Sequence, residues 1–144
     1  MNTLDAMVAR DKFRIVLSLL NVRHELLHIC RDSSSTVTQL NELTKDLEIA
    51  LTKLEKSDTI ILEWRFGLFI SPKYGVIYIG HGKHWNWKAV AKRIKMSGIT
   101  RSNLLDLRDR AIYRLMYHFS ILAKNKRIEI DMGNFLNLKK EEMH

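Results

Sequence analysis

Cysteine occurs once among the 144 residues, at Cys30. A lone thiol excludes an internal disulfide and a thiolate zinc cluster, and it fits a reducing compartment. Long apolar runs are also missing: none approaches the roughly 20 residues that cross a bilayer. Residues 1–30 are broken by Asp5, Arg10, Asp11, Lys12 and Arg14, which argues against a signal peptide. No glycine-rich phosphate loop and no G-x-S-x-G turn is present, so two common enzyme signatures are gone. Internal repeats are absent too. These exclusions leave a soluble protein of the cytoplasm, without a membrane partner, as the expectation.

Apolar residues make up 46% of the chain, enough to build a core rather than a disordered segment. Lysine and arginine number 24 against 16 acidic residues, for a formal charge of +8. Such a balance favours polyanions, nucleic acid first.

Apolar periodicity predicts a mainly α fold. Residues 7–30 read as a helix with Phe13, Leu17, Leu20, His24 and Leu27 on one face. After a polar loop, Thr36 and Gln39 form a capping-box pattern. A second helix follows from 37 to 55 or beyond, with Leu40, Leu43, Leu47, Ala50, Leu54, Ser57 and Ile61 as its seam and Glu42, Lys45, Asp46, Glu48, Lys53 and Glu55 across from it. That near-heptad seam suits an antiparallel hairpin with the first helix, or a homodimer through the N-terminal helices. Residues 59–69 read as a helix ending at Gly67. Phe69 and Ile70, then Val76 to Ile79, flank a Pro-Lys-Tyr-Gly turn and predict a β-hairpin. A short amphipathic helix spans 87–94, with Trp87, Val90, Ala91 and Ile94 on one side and Lys88, Lys92 and Arg93 on the other. A long helix is expected over 100–123, capped by Thr100. Its stripe is Leu104, Leu107, Ala111, Leu115, Phe119 and Leu122, and Ser102, Asn103, Asp106, Arg110 and Tyr113 point away. Arg108 falls near the stripe, and Glu63 is the suggested partner. Ile128 to Ile130 is a candidate strand. The domain division expected from these elements is an N-terminal helical hairpin at 1–56, a helix-turn-helix unit at 57–123 with an insertion at 69–83, and a tail at 124–144.

Two helices joined by a tight turn, the second opening on polar and basic side chains, form a DNA-reading unit. Arg101, Ser102 and Asn103 are placed to reach base edges. Lys88, Lys92, Arg93 and Lys95 are placed to meet phosphates, which supply affinity without sequence information.

The same stretch resembles a known family. The run ILEWRFGL at 61–68 looks like the opening helix of sigma factor region four. The run WKAVAKRI at 87–94 is similar to that family's W-x-x-I-A-x-x-L helix. Residues 98–112, GITRSNLLDLRDRAI, match its G-I-S-x-x-x-V-x-x-x-x-x-R-A-L recognition helix without a gap. Phage late-gene regulators of the ArpU and RinA type are similar. The resemblance implies a transcription regulator of phage or prophage type in a bacterial host, an activator working with RNA polymerase on double-stranded DNA. It places Arg101, Ser102, Asn103 and Asp106 at base-facing positions and Arg110 near the backbone. The chain departs from the pattern in its inserted hairpin and its longer turn between 94 and 100. The insertion is either packing or a wing that touches DNA through Lys73 or Lys83. Asp106 and Asp109 dilute the positive charge there.

A rival motif stands at 24–28, where HELLH is H-E-x-x-H. On a helix, His24 and His28 share a face and suit zinc, with Glu25 as the base of a metallopeptidase. Its third ligand would come from His81, His84 or His118, and no spacing singles one out. The expectation is that the chain is not an enzyme and needs no cofactor. A third alternative is a helical interaction module without DNA affinity. Trp85 is the one tryptophan suggested for stacking on single-stranded bases.

Overall fold

The computed structural model describes residues 2–30, 35–80, 87–94 and 101–125, with the side chains of 27–30, 35–36, 87–88, 101 and 125 outside that description. The described residues form α1 (Thr3–Cys30), α2 (Ser35–Thr52), α3 (Lys56–Phe66), β1 (Leu68–Ser71), β2 (Gly75–Tyr78), α4 (Trp87–Arg93) and α5 (Arg101–Asn125). The architecture is mainly α with one small antiparallel hairpin, as periodicity predicts.

Each element starts and stops for a local reason. The Asn2 side chain accepts a hydrogen bond from the Asp5 backbone N–H at 2.8 Å, capping the first turn of α1. Gly67 ends α3 in the left-handed region at φ 71°, and its N–H donates to the carbonyls of Glu63 and Leu62. Its own carbonyl accepts from the Ile79 N–H at 3.0 Å, so the helix cap and the hairpin share one residue. An alanine there would carry its Cβ into the left-handed conformation. Gly67→Ala is therefore expected to cost about 1–2 kcal/mol in urea denaturation, and an unchanged midpoint would refute the cap's importance. The hairpin pairs Leu68 with Tyr78 and Ser71 with Gly75, and the Ser71 hydroxyl accepts from the N–H groups of Lys73 and Tyr74 at the tip.

Helix α5 is the axis of the molecule. It packs against α1, α2 and α3, and the hairpin rests mainly on α2 and α3. Phe13, Leu19 and Leu26 of α1, Leu40, Leu43 and Leu47 of α2, Ile61 and Leu62 of α3, and Leu104, Ile112 and Phe119 of α5 are all fully buried in one cluster. The division drawn at residue 56 thus runs through a shared core. The seam of α2 is used inside the chain, against α1 and α5.

Three expectations are corrected. Apolar spacing predicts His24 on the stripe of α1, but it is exposed. The buried residues Phe13, Val16, Leu19 and Val22 advance in steps of three, each short of a full 3.6-residue turn, so the stripe rotates away from His24. The seam of α2 predicts Asp46 on the solvent face, but it is fully buried. It lies one turn from Leu43 and from Ala50, and α1, α5 and the hairpin cover a wider arc of α2 than a two-helix hairpin would. Arg108 bonds not to Glu63 but to the next residue, Asp109, at 3.0 Å. The suggested strand at 128–130 lies outside the described residues, as do the tail from 126 onward and the cap at Thr100, whereas Lys124 and Asn125 continue α5.

Candidate nucleic-acid interface

The candidate interface is built on α3, α4 and α5. Helix α3 packs against both of the others, and α4 lies chiefly against α3. Val90 of α4 and Leu104 of α5 are fully buried in the same cluster, which anchors the inner sides of the two helices. On the outer side of α4, Lys92 and Arg93 are exposed. They fall in its last turn, where cations also suit the helix dipole.

Helix α5 opens at Arg101. Ser102, Asn103, Asp106 and Arg110 are all exposed, and their spacing places them on one outward face of the first three turns. Leu104 and Ala111 turn the opposite way, into the core. The backbone of Arg101 and of Lys88 is helical, and their side chains lie outside the described residues. Lys95, Lys83 and Trp85 also lie outside them, as does the turn at 95–100 that would complete the motif.

Asp109 does not dilute the outward charge as expected. Its carboxylate accepts from Nε and Nη2 of Arg108 at 3.2 and 3.0 Å, and Nε of Arg10 lies 4.0 Å away. Arg108 therefore holds the carboxylate by hydrogen bonds within α5, while Arg10 of α1 lies near it as a second cation without a hydrogen bond to it. Asp106 remains the negative charge on the outer face.

The inserted hairpin is a packing element with an exposed tip. Ile70, Val76 and Tyr78 lie against the core, and burial pushes the Tyr78 phenol above its ordinary pKa. Lys73 and Tyr74 are exposed at the turn, with the ammonium 5.3 Å from the ring centre.

The rival zinc motif is only partly visible. His24 is exposed and Glu25 half-buried on α1, and the side chain of His28 lies outside the described residues. Among the described residues no three histidine, cysteine or acidic side chains cluster as metal ligands. No described helix is long and apolar enough to cross a membrane.

Sequence reasoning missed two features. The first is the ion pair between Arg114 of α5 and Asp58 of α3, at 3.0 and 3.1 Å. The second is a groove between the N-terminal half of α1 and the C-terminal half of α5. A signal for the groove was present: Tyr113, Tyr117 and Ile121 recur every four residues on the side of α5 away from the core stripe. Compared with known proteins, the chain matches no family model, no curated protein and no solved structure.

Proposed function

We propose that the protein is a sequence-specific double-stranded DNA-binding regulator of transcription, of phage or prophage type, acting in the cytoplasm of a bacterial host as an activator with RNA polymerase. The observation that carries this reading is the outward face of α5. Its first turns present Ser102, Asn103, Asp106 and Arg110 to solvent, directly after a helix that exposes Lys92 and Arg93. An α-helix fits the major groove, Asn pairs with adenine and Arg with guanine in bidentate fashion, and lysines on the preceding helix meet phosphates. The net charge of +8 supports the same partner. The resemblance of 61–68, 87–94 and 98–112 to sigma factor region four supplies the link to polymerase.

The purified chain is expected to retain a defined subset of genomic fragments. If Lys88, Lys92, Arg93 and Lys95 each neutralise one phosphate, the log–log dependence of affinity on salt has a slope of about −3 to −4. Lys92→Ala should weaken binding to every sequence alike. Arg101→Ala or Asn103→Ala should cost about 1–3 kcal/mol, and only with the base pair that the residue reads. Retention of no fragment at about 100 mM salt would dispose of the reading.

A further inference from the structure

Helix α1 carries an apolar seam that is covered along one half and bare along the other. Val8, Ile15 and Val22 are successive heptad positions, and so are Lys12, Leu19 and Leu26. Leu19, Val22 and Leu26 are buried and Ile15 packs on the core, whereas Leu4 is 67% and Val8 46% exposed. Beside this bare half runs the C-terminal half of α5, where Tyr117 is 56% and Ile121 46% exposed. Together they line an open groove of about 390 Å³. Large apolar residues set side by side on a soluble surface mark a place where another surface docks.

The charges at the groove indicate which surface that is. Asp5 and Lys12 both line it, and neither side chain has a hydrogen bond or ion pair among the described residues. The neighbouring Asp11 is held by Arg14 at 3.7 Å, and Lys124 of α5 lines the groove as well. Asp5 and Lys12 stand seven residues apart, two turns or about 10.5 Å. They are symmetric about the midpoint between Val8 and Ala9. If two α1 helices cross antiparallel at that midpoint, each Asp5 meets the Lys12 of the other helix. Acid, apolar residue and base thus follow one another along one stripe of α1, which makes the stripe complementary in charge to a second copy of itself laid antiparallel, where residue i meets j while j meets i.

We propose that this groove is the self-association surface of the chain, closed by a second copy whose α1 lies antiparallel across the first at Val8, with Asp5 paired to Lys12 in both directions. The proposal is independent of the DNA-binding reading. The polar and apolar parts of the outward face of α5, Asp106 and Tyr117, lie about 16 Å apart along the helix, so the proposed contact is centred away from the DNA-reading end.

Sedimentation equilibrium of the full chain, without DNA, tests it. At about 100 µM the wild-type chain should be dimeric. Asp5→Lys and Lys12→Asp, each shown to be folded by circular dichroism, should each self-associate about tenfold more weakly or worse, because each places two like-charge pairs across the two-fold axis. An equimolar mixture of the two variants should regain dimers, since the mixed pair restores both attractions. Val8→Asp should be monomeric alone and in mixtures. A monomeric wild-type chain, a dimer indifferent to Asp5→Lys, or a mixture that stays monomeric would each overturn the proposal. The last outcome would point to a different occupant, such as another segment of the same chain.

Discussion

Replacing Phe13 by alanine is expected to lower the stability of the whole chain by about 3–5 kcal/mol, the usual cost of emptying a phenylalanine site in a core. Phe13 is 2% exposed, and its ring meets that of Phe66 edge to face at 4.9 Å between centres. Such a pair adds about 0.5–1.5 kcal/mol beyond its area. The contact joins the helix that opens the chain to the end of α3, so the loss should not stay local. The three tryptophans, Trp64, Trp85 and Trp87, all follow residue 56, whereas backbone circular dichroism reports every helix. In one cooperative unit the two signals fall together. Urea titration of the Phe13→Ala chain should therefore show coincident transitions, both shifted from wild type. A tryptophan transition left at its wild-type midpoint, with a separate earlier loss of helix, would mean that residues 57–125 fold without α1.

The packing behind that expectation is where sequence reading stopped short. Periodicity located the helices because their apolar residues recur at helical steps: Leu40, Leu43, Leu47 and Ala50 in α2, and Leu104, Ala111, Leu115 and Phe119 in α5, are buried as expected. Gly67 marked the end of α3 because few other residues accept its φ of 71°. The hairpin was legible in β-branched residues on either side of Pro72 to Gly75. Periodicity says which face of a helix is buried, but not which neighbour buries it. A division drawn from periodicity therefore carries no information on the contacts that α5 makes with α1, α2 and α3. The same blindness hid Asp46, whose burial depends on three neighbours rather than one.

The candidate interface divides in the same way. The exposure of Ser102, Asn103, Asp106 and Arg110 follows from the position of Leu104 and Ala111, so it was readable from one helix alone. The second cation beside Asp109 was not, because Arg10 arrives from the other end of the chain. The groove was readable only by half: Tyr113, Tyr117 and Ile121 recur along α5, but the facing row belongs to α1 and meets them only after folding. The outward face of α5 changes character between Arg110 and Tyr113. It is polar where DNA is proposed to lie and apolar where a second copy is proposed to dock.

Near that change of character, Arg114 holds α5 to α3, and removing it should cost about 2–3 kcal/mol. Its Nη1 donates to both oxygens of Asp58, at 3.0 and 3.1 Å. The burial is lopsided: the Asp58 side chain is 4% exposed and that of Arg114 46%. When arginine goes, the carboxylate is left in the core without its cation. Its place in the first turn of α3 offsets part of the loss, since free backbone N–H groups there favour an anion. When aspartate goes, the half-exposed guanidinium turns to water at little cost. The two deletions should therefore be unequal and strongly non-additive. Arg114→Met alone is expected to be the worst variant, and adding Asp58→Ala to it should recover about half of the lost stability. Urea denaturation of the two single variants and the double variant closes the cycle. An Arg114→Met chain within about 0.5 kcal/mol of wild type, or a double variant equal to the sum of its parts, would show that the pair is a surface ornament. The expected result would instead make it a coupled pair that ties α3 to α5, the two helices on which most of the candidate interface is built.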